Sequence, residues 1–321
     1  MIRTVESQAD LPQSAVRVSD SMTSSPGPRG MLPLLIIVIG VMGAACDGGA
    51  RAQADAWALV VLGIAQDGGI PHLGCQQERC VRARDGRGSV EKVASLGLVN
   101  RATGAAYLFD ATPDFPAQVH ALTGGAAPDG IFLTHAHIGH YTGLIYLGRE
   151  VSAASAVPVF GTRRMVDFLT GNGPWSLLVE AAHVDLRTLT PDRPIELAPD
   201  LRVTPFIVPH RDEFTDTVGY RIDGPRASAL YLPDIDRWDL WDRDIRDVVA
   251  GVDLAFLDGT FASPDEVPGR SIEQISHPLI PDTRARLRDS GAEVWFIHLN
   301  HTNAELDGAP DVAREGMEFE L

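Results

Sequence analysis

The sequence predicts a single α/β domain in which two β-sheets form a sandwich and helices cover its outer faces. Short apolar runs alternate with polar, helix-compatible segments from about residue 57 to residue 305. The apolar runs outnumber the helical segments, and no internal repeat divides the chain. Because the pattern is continuous, we expect one domain over residues 57–305.

Each expected element follows from its local pattern. The expected strands are apolar runs bounded by turn residues, and they lie at 57–65, 105–111, 130–136, 157–162, 201–210, 217–222, 228–234, 253–259 and 293–299. The expected helices lie around 114–122, 142–151, 162–170, 242–250 and 281–290. Residues 306–321 have little apolar periodicity, so we expect a tail that wraps or frays.

The N-terminal region has the character of an export signal. Residues 1–30 are expected to be a disordered leader, with Met22 as an alternative start. Residues 31–46, MLPLLIIVIGVMGAAC, are apolar but short for a membrane span, and they end in small residues as export signals do. The ending resembles a lipobox, in which Cys46 would carry a lipid, and residues 47–56 would be a linker. We therefore expect an exported lipoprotein of the periplasm or cell envelope, attached to the membrane only through Cys46.

Charge restricts the class of partner. The 321 residues carry a formal net charge of −16, with 43 acidic and 27 basic side chains. Nucleic-acid binding rests on clustered Lys and Arg, and no such cluster is present in the sequence. We therefore expect a small-molecule substrate rather than a nucleic acid, and the sequence leaves the oligomeric state open.

Two further cysteines, Cys75 and Cys80, form a C-x4-C pair after the first strand. In an oxidising compartment they could form a small disulfide loop. Alternatively, they could supply two thiolates to a structural zinc site, together with His72. Free thiols are the third alternative, and the spacing does not decide among them.

Several apolar runs finish on a side chain that can bind a metal or move a proton. These side chains are Asp110, His135, His137, His210, Asp234, Asp258 and His298. In α/β sheets, ligands gather at the carboxyl ends of the strands, where diverging loops leave a crevice. So many polar residues at strand ends predict a metal site.

The segment FLTHAHIGHYTGL, residues 132–144, concentrates three of the candidate ligands. His135 and His137 are two residues apart in an extended chain, so their rings point to the same side. His140 lies across the turn into a helix and approaches from another direction. Neutral imidazoles suit zinc, iron and copper. If His277 and His301 contribute to the site, we expect them to contact the metal ligands and not the metal itself.

The ordered series Asp110, His135-x-His137-x-x-His140, His210, Asp234, His298 resembles the motifs of the metallo-β-lactamase superfamily. The stretches LGIAQDGGIPHLGC, FLDGTF and FIHLNHTN resemble its pyrroloquinoline quinone biosynthesis protein B branch. The resemblance implies a four-layer αβ/βα sandwich. The reduced cysteine cluster and the export signal depart from that branch, so the sequence indicates a distant, exported relative.

The resemblance also implies the division of the ligands. One metal would be held by His135, His137 and His210. A second would be held by His140 and His298, with Asp234 bridging both ions. Asp110 would buttress the histidine segment instead of binding metal. These assignments give a site for one or two zinc ions, with iron as an alternative.

Gly139 occupies the position at which the superfamily has an aspartate ligand of the second metal. Three alternatives follow. Asp236 or Asp258 replaces the missing carboxylate, or only the first metal binds. In the third, His140, Asp234 and His298 act alone as the two-His, one-carboxylate triad that suits ferrous iron.

The leading functional hypothesis is an exported metal-dependent hydrolase of a small ester, lactone, amide or phosphodiester. The metal would lower the pKa of bound water to about 7. Asp234 would orient that water, and Asp236 or Asp258 would pass its proton on. Further candidates at the rim or in a substrate pocket are Tyr141, Asn300, Asn303, Trp175 and Trp238. The alternatives are a non-heme iron oxygenase and a non-catalytic protein that binds a metal or ligand.

Overall fold

The computed structural model describes residues 56–267 and 276–321. The expected leader, the export segment and the linker as far as residue 55 lie outside this described part. No helix in the described ranges is both long and apolar enough to cross a membrane.

The structure has three kinds of regular element: β-strands, α-helices and short 3-10 helices. The strands are β1 Trp57–Gly63, β2 Ser95–Asn100, β3 Ala106–Phe109, β4 Gly130–Phe132, β5 Val157–Gly161, β6 Val184–Thr188, β7 Ile195–Ala198, β8 Leu201–Val208, β9 Thr217–Asp223, β10 Ser228–Leu232, β11 Leu254–Asp258, β12 Glu293–Ile297 and β13 Glu318–Glu320. The α-helices are α1 Glu78–Arg84, α2 Phe115–Thr123, α3 Ile138–Tyr141, α4 Arg163–Gly171, α5 Trp175–Glu180, α6 Ile245–Val249 and α7 Ile280–Leu287. Short 3-10 helices lie at Thr142–Leu147, Trp238–Leu240, Pro264–Glu266 and Ala304–Asp307.

The strands form two sheets, so the predicted sandwich is confirmed. The first sheet has the order β13-β1-β2-β3-β4-β5-β6, and the second has the order β12-β11-β10-β9-β8-β7. Strands β3 to β6 are parallel in the first sheet. In the second, β10 to β12 are parallel, and β9 lies antiparallel between β8 and β10. Strands β8, β10, β11 and β12 therefore all run in one direction.

Strand β1 shows why the sheets stack. Every residue of this strand is buried. Trp57, Leu59 and Val61 belong to the core between the sheets. Ala58 and Val60 belong to a second core on the outer face. Successive side chains of a strand point to opposite faces, so a continuous apolar run fits a strand that is covered on both sides.

Helices complete the outer layers. On the first sheet, α2, α4 and α5 supply buried apolar residues to the outer core. Helix α4 begins at Thr162, whose side chain accepts a hydrogen bond from the backbone N–H of Met165. Met165 and Leu169 lie one turn apart and are the buried residues of this helix. Helices α6 and α7 cover the second sheet, which gives four layers.

The chain differs from the sequence prediction in several elements. Strands β2, β6 and β7 were not expected, because their apolar residues are mixed with turn and charged residues. The helix expected around 142–151 is a 3-10 helix over Thr142–Leu147 followed by turns.

The expected tail at residues 306–321 wraps back onto the domain and does not fray. Strand β13 pairs with β1 at the edge of the first sheet. Val312, Ala313 and Leu321 are fully or almost fully buried in the core between the sheets. These apolar residues are too widely spaced to show periodicity, yet each finds a place in the core.

Replacing Leu321 by alanine should lower the free energy of unfolding by about 2–5 kcal/mol, because the side chain is completely buried. Glu320→Ala at the end of the preceding strand β13 is the matched control, since the Glu320 side chain is 77% exposed. Its effect should stay within about 0.5 kcal/mol. Denaturant unfolding of the full chain measures both, and equal effects would contradict a packed C-terminus.

Candidate metal centre

The centre forms where parallel strands of the two sheets end. Six of its side chains lie at or just after the carboxyl end of a strand. They are Asp110 after β3, His135 after β4, His210 after β8, Asp234 after β10, Asp258 at the end of β11 and His298 after β12. The strand ends therefore bring residues more than 180 positions apart in the chain into one cluster.

Three imidazoles form the first set of donors. His135 Nε2 lies 2.8 Å from His137 Nδ1. His210 Nε2 lies 3.3 Å from the same His137 Nδ1. His137 turns Nδ1 inward because its Nε2 contacts Glu213 Oε2 at 2.9 Å.

Asp234 completes this set. Its Oδ2 lies 3.4 Å from His135 Nε2 and 3.3 Å from His210 Nε2. Tetrahedral donors about 2.1 Å from a zinc ion stand about 3.4 Å apart. The donor atoms of His135, His137, His210 and Asp234 lie within 4.8 Å of one another, so their types and spacing fit a zinc ion.

A second set of donors lies on the other side of Asp234. His140 Nε2 is 3.8 Å from Asp234 Oδ2, and His298 Nε2 is 3.9 Å from it. Both rings are completely buried. Neither Nε2 has a hydrogen-bond partner among the described residues. A buried polar atom without a partner is costly, and a metal ion would satisfy both nitrogens.

Asp110 holds the histidine segment, as the sequence resemblance implied. Its Oδ2 accepts a hydrogen bond from His140 Nδ1 at 2.8 Å, and its Oδ1 accepts one from the backbone N–H of Thr134 at 2.8 Å. The Tyr231 hydroxyl donates to Oδ2 at 3.1 Å. This bonding fixes the tautomer of His140 and leaves Nε2 facing the centre.

Other rings are held from behind in the same way. Asp236 Oδ1 lies 3.1 Å from His210 Nδ1. Thr260 Oγ1 lies 3.0 Å from His298 Nδ1. Thr134 Oγ1 lies 3.0 Å from His135 Nδ1. In each of these three rings Nδ1 is engaged by this contact, and Nε2 is the nitrogen that faces the centre.

Charge and burial set the protonation of the cluster. Burial opposes ionisation of Asp234, but the surrounding histidines, chiefly His210 and His298, outweigh it and hold the pKa of Asp234 well below its usual range. Burial lowers the pKa of His135, His137 and His298. These three imidazoles are consequently neutral at pH 7, the form that binds metal.

His140 and His210 behave differently. Burial opposes protonation of His140, but Asp110 outweighs it and raises the pKa of His140 to about 9. Burial likewise opposes protonation of His210, and Asp234 raises its pKa to about 10. A metal ion must displace a proton from each ring, and its own positive charge then takes the place of that proton beside the carboxylates.

The backbone at two of these positions has an uncommon conformation. Asp110 and His298 each have φ of +65°. Residues other than glycine rarely adopt the left-handed region, and such conformations cost of order 1–3 kcal/mol. The surrounding hydrogen bonds hold both side chains in place despite this cost.

His277 and Asp258 form a buried pair next to Asp234. His277 Nδ1 lies 2.9 Å from Asp258 Oδ2 and 3.3 Å from Asp234 Oδ1. Asp258 also accepts hydrogen bonds from Thr260 and from the backbone N–H of Ile235. Burial opposes protonation of His277, but Asp258 and Asp234 raise its pKa.

The cysteines form a separate cluster. Cys75 and Cys80 are free thiols, not a disulfide. Their Sγ atoms lie 3.4 and 3.8 Å from Nδ1 of His301. The His72 ring stacks on that of His301 with centroids 4.4 Å apart. The third donor of this candidate structural zinc site is therefore His301, which the sequence did not identify as a partner of the cysteines. His72, the donor suggested from the sequence, lies beside it.

The five residues proposed for the rim have structural contacts. The rings of Tyr141 and Trp175 pack 4.7 Å apart in the outer core of the first sheet. Trp238 is buried and donates to Thr283. Asn303 is buried and donates to the carbonyl of Gly259, while Asn300 donates to Gln66. These contacts explain their conformations without a role in stabilising an oxyanion.

Asp67 and Glu213 were missed from the sequence. Asp67 Oδ1 lies 3.8 Å from His140 Nε2, on the side of the second donor set. Its position in AQDGG, just past β1, is the same type of strand-end signal that identified the other ligands. Glu213 gave no such signal, because it lies in a loop whose course depends on the fold.

Comparisons with known proteins agree with this fold. The profile of the β-lactamase superfamily domain matches residues 106–307. Coenzyme PQQ synthesis protein B of Xanthomonas campestris pv. campestris is 27% identical over a 307-residue alignment, which covers 82% of this chain and 99% of that protein.

Two solved structures share the fold. Zn²⁺-bound PqqB from Methylobacterium extorquens has a TM-score of 0.71 at 22% identity, and the match covers 82% of this chain and 100% of that one. A diphosphatase from the PhnP family has a TM-score of 0.62 at 23% identity, covering 83% and 97%. The predicted metallo-β-lactamase type of sandwich and the resemblance to the PQQ protein B branch are confirmed.

Asp110→Asn should weaken zinc binding at the centre by about 10–100-fold, because an amide cannot replace the carboxylate that orients His140 and the Thr134 backbone. Asp129→Asn is the control, since Asp129 accepts a backbone hydrogen bond from Ala106, away from the centre. Equilibrium dialysis with zinc measures both. Unchanged affinity in Asp110→Asn would show that the buttress is dispensable.

Proposed function

We propose that this chain, which belongs to the β-lactamase superfamily, is a metal-dependent hydrolase of a small molecule. The observation that carries the proposal is the position of Asp234. This buried carboxylate lies between the two sets of imidazoles. Its Oδ2 is 3.3–3.4 Å from the ring nitrogens of His135 and His210 and 3.8–3.9 Å from those of His140 and His298. Superfamily members are mostly metal-dependent hydrolases, and one solved neighbour binds Zn²⁺.

The residues divide between two ions. His135, His137 and His210 would hold the first ion, His140 and His298 would hold the second, and Asp234 would bridge them. Divalent zinc held there would supply an activated water at neutral pH and polarise the bond to be cleaved. Because its pKa is held low, Asp234 is ionised at neutral pH, and its remaining lone pairs would orient that water.

His277 is our candidate for the group that gives a proton to the leaving group. Its Nδ1 lies 2.9 Å from Asp258 Oδ2 and 3.3 Å from Asp234 Oδ1, so the ring stands directly beside the proposed bridging carboxylate. Asp258 acts through His277 and Asp236 acts through His210. Both carboxylates are therefore positioning residues in this proposal, not the direct proton carriers that the sequence indicated.

The substrate class rests on the exposed apolar side chains beside the ligands and on the charge of the chain. We take the substrate to be a small ester, lactone, amide or phosphodiester. Ile138 and Phe214 are exposed, and each follows within four residues of a proposed ligand. The net charge of −16 disfavours a nucleic acid substrate. Export, with a lipid anchor at Cys46, remains part of the proposal for the cellular setting.

A second candidate is an iron-dependent oxygenase. The observation in its favour is that His140, His298 and Asp234 form a two-His, one-carboxylate set. Oxygen uptake by the full chain with ferrous iron, absent with zinc, would support this function. A protein that binds metal with neither activity would be the non-catalytic alternative.

His135→Ala and Asp234→Ala should each abolish zinc-dependent hydrolysis in a panel of chromogenic esters, lactones, amides and phosphodiesters. His120→Ala is the control, because His120 is exposed on helix α2. If a substrate is turned over and both variants retain the full rate, the metal-hydrolase proposal fails.

His277→Gln should lower kcat about 10²–10⁴-fold through loss of the proton donor. The number of bound zinc ions should stay the same, since His277 is not one of the proposed ligands. Asp258→Asn should act in the same direction, and the double variant should be little worse than His277→Gln alone. Additive losses would contradict the assignment of Asp258 to a role through His277.

A further inference from the structure

Gly139 leaves a space in the histidine segment that another carboxylate fills. A Cβ atom built at Gly139 would lie 2.7 Å from Asp67 Cα and closer still to Asp67 Oδ1. Those separations are too short for any side chain. The place that an aspartate at 139 would occupy therefore belongs to Asp67, and glycine is required for Asp67 to reach it.

The turn that carries Asp67 is fixed to the strand that carries His298. The backbone N–H of Gln66 donates to the carbonyl of Leu299 at 2.9 Å. The side chain of Gln66 accepts a hydrogen bond from Asn300. Gly69 closes the turn with φ of +66° and donates to the Gln66 carbonyl at 2.9 Å. The contacts of Gln66 thus hold the turn that carries Asp67 against the segment that follows His298.

Three donor atoms converge without partners. Asp67 Oδ1, His140 Nε2 and His298 Nε2 are all buried, and none has a hydrogen-bond partner in residues 56–267 or 276–321. They lie within 4.8 Å of one another. A single cation would satisfy all three, whereas leaving three buried polar atoms unpaired would cost several kcal/mol.

The two carboxylates suggested from the sequence are engaged elsewhere. Asp236 binds His210 Nδ1, on the outer side of the first donor set. Asp258 is occupied by Thr260, Ile235 and His277. Neither belongs to the donor group of His140 and His298, so neither restores the charge lost at position 139.

We propose that Asp67 is the carboxylate ligand of the second metal ion, together with His140, His298 and Asp234. The carboxylate ligand therefore comes from the turn after β1 and not from the histidine segment, and the absence of a side chain at Gly139 leaves room for it. This inference rests on the two-metal centre proposed above, and it restores a negative charge that two divalent ions require. It does not depend on which reaction the centre catalyses.

The test is the number of zinc ions per full-length chain, measured by elemental mass spectrometry after zinc loading and desalting. Asp67→Ala should bind one ion fewer than the wild type, while thermal unfolding confirms that it is folded. Gly139→Ala should lose the same ion, because its Cβ displaces Asp67. Asp212→Asn is the control, since this exposed carboxylate faces Arg164 near the same edge.

The outcome separates this inference from the proposed activity. A difference of one ion in Asp67→Ala and Gly139→Ala, with none in Asp212→Asn, supports Asp67 as the ligand even if no substrate is hydrolysed. An unchanged ion count in folded Asp67→Ala would overturn it, and so would the loss of every ion of the centre. The cysteine cluster does not confuse the result, because all variants share it.

Discussion

The structure depends on one buried carboxylate, Asp234. It is 3% exposed and has five histidine rings around it, with ring nitrogens 3.3–3.9 Å from its oxygens. A lone charge in such a place would be strongly unfavourable, so it demands cations or hydrogen-bond donors on every side. The two sheets meet this demand because their parallel strands end at one edge, where each loop can present a ring to the same point.

Around this carboxylate, the fold separates the groups that face the centre from the groups that hold them. Asp110, Asp236 and Glu213 each bind the far side of a histidine ring. Such contacts fix the ring orientation and the tautomer, so the facing nitrogen is available without further rearrangement. The left-handed backbone at Asp110 and His298 is tolerated because these contacts determine both positions.

Sequence reasoning identified most of this centre because its ligands follow apolar strands, a pattern that is local in the chain. It also identified the sandwich, since strand periodicity is local too. It did not find Asp67, and it placed His301 behind the histidine ligands instead of beside the cysteines. The significance of both residues depends on a partner more than 70 residues away. Strand β13 was missed for a similar reason, because it pairs with the distant β1. Strand β7 has only four residues and was too short to stand out, although its apolar residues pack against the core between the sheets.

The proposed sharing of Asp234 by two metal ions can be tested by anomalous diffraction at the zinc absorption edge, from crystals of the full chain grown with zinc. We expect two peaks beside Asp234, one among His135, His137 and His210, and one among Asp67, His140 and His298. A single peak beside Asp234, or peaks at the cysteine cluster alone, would show that two ions do not share this carboxylate.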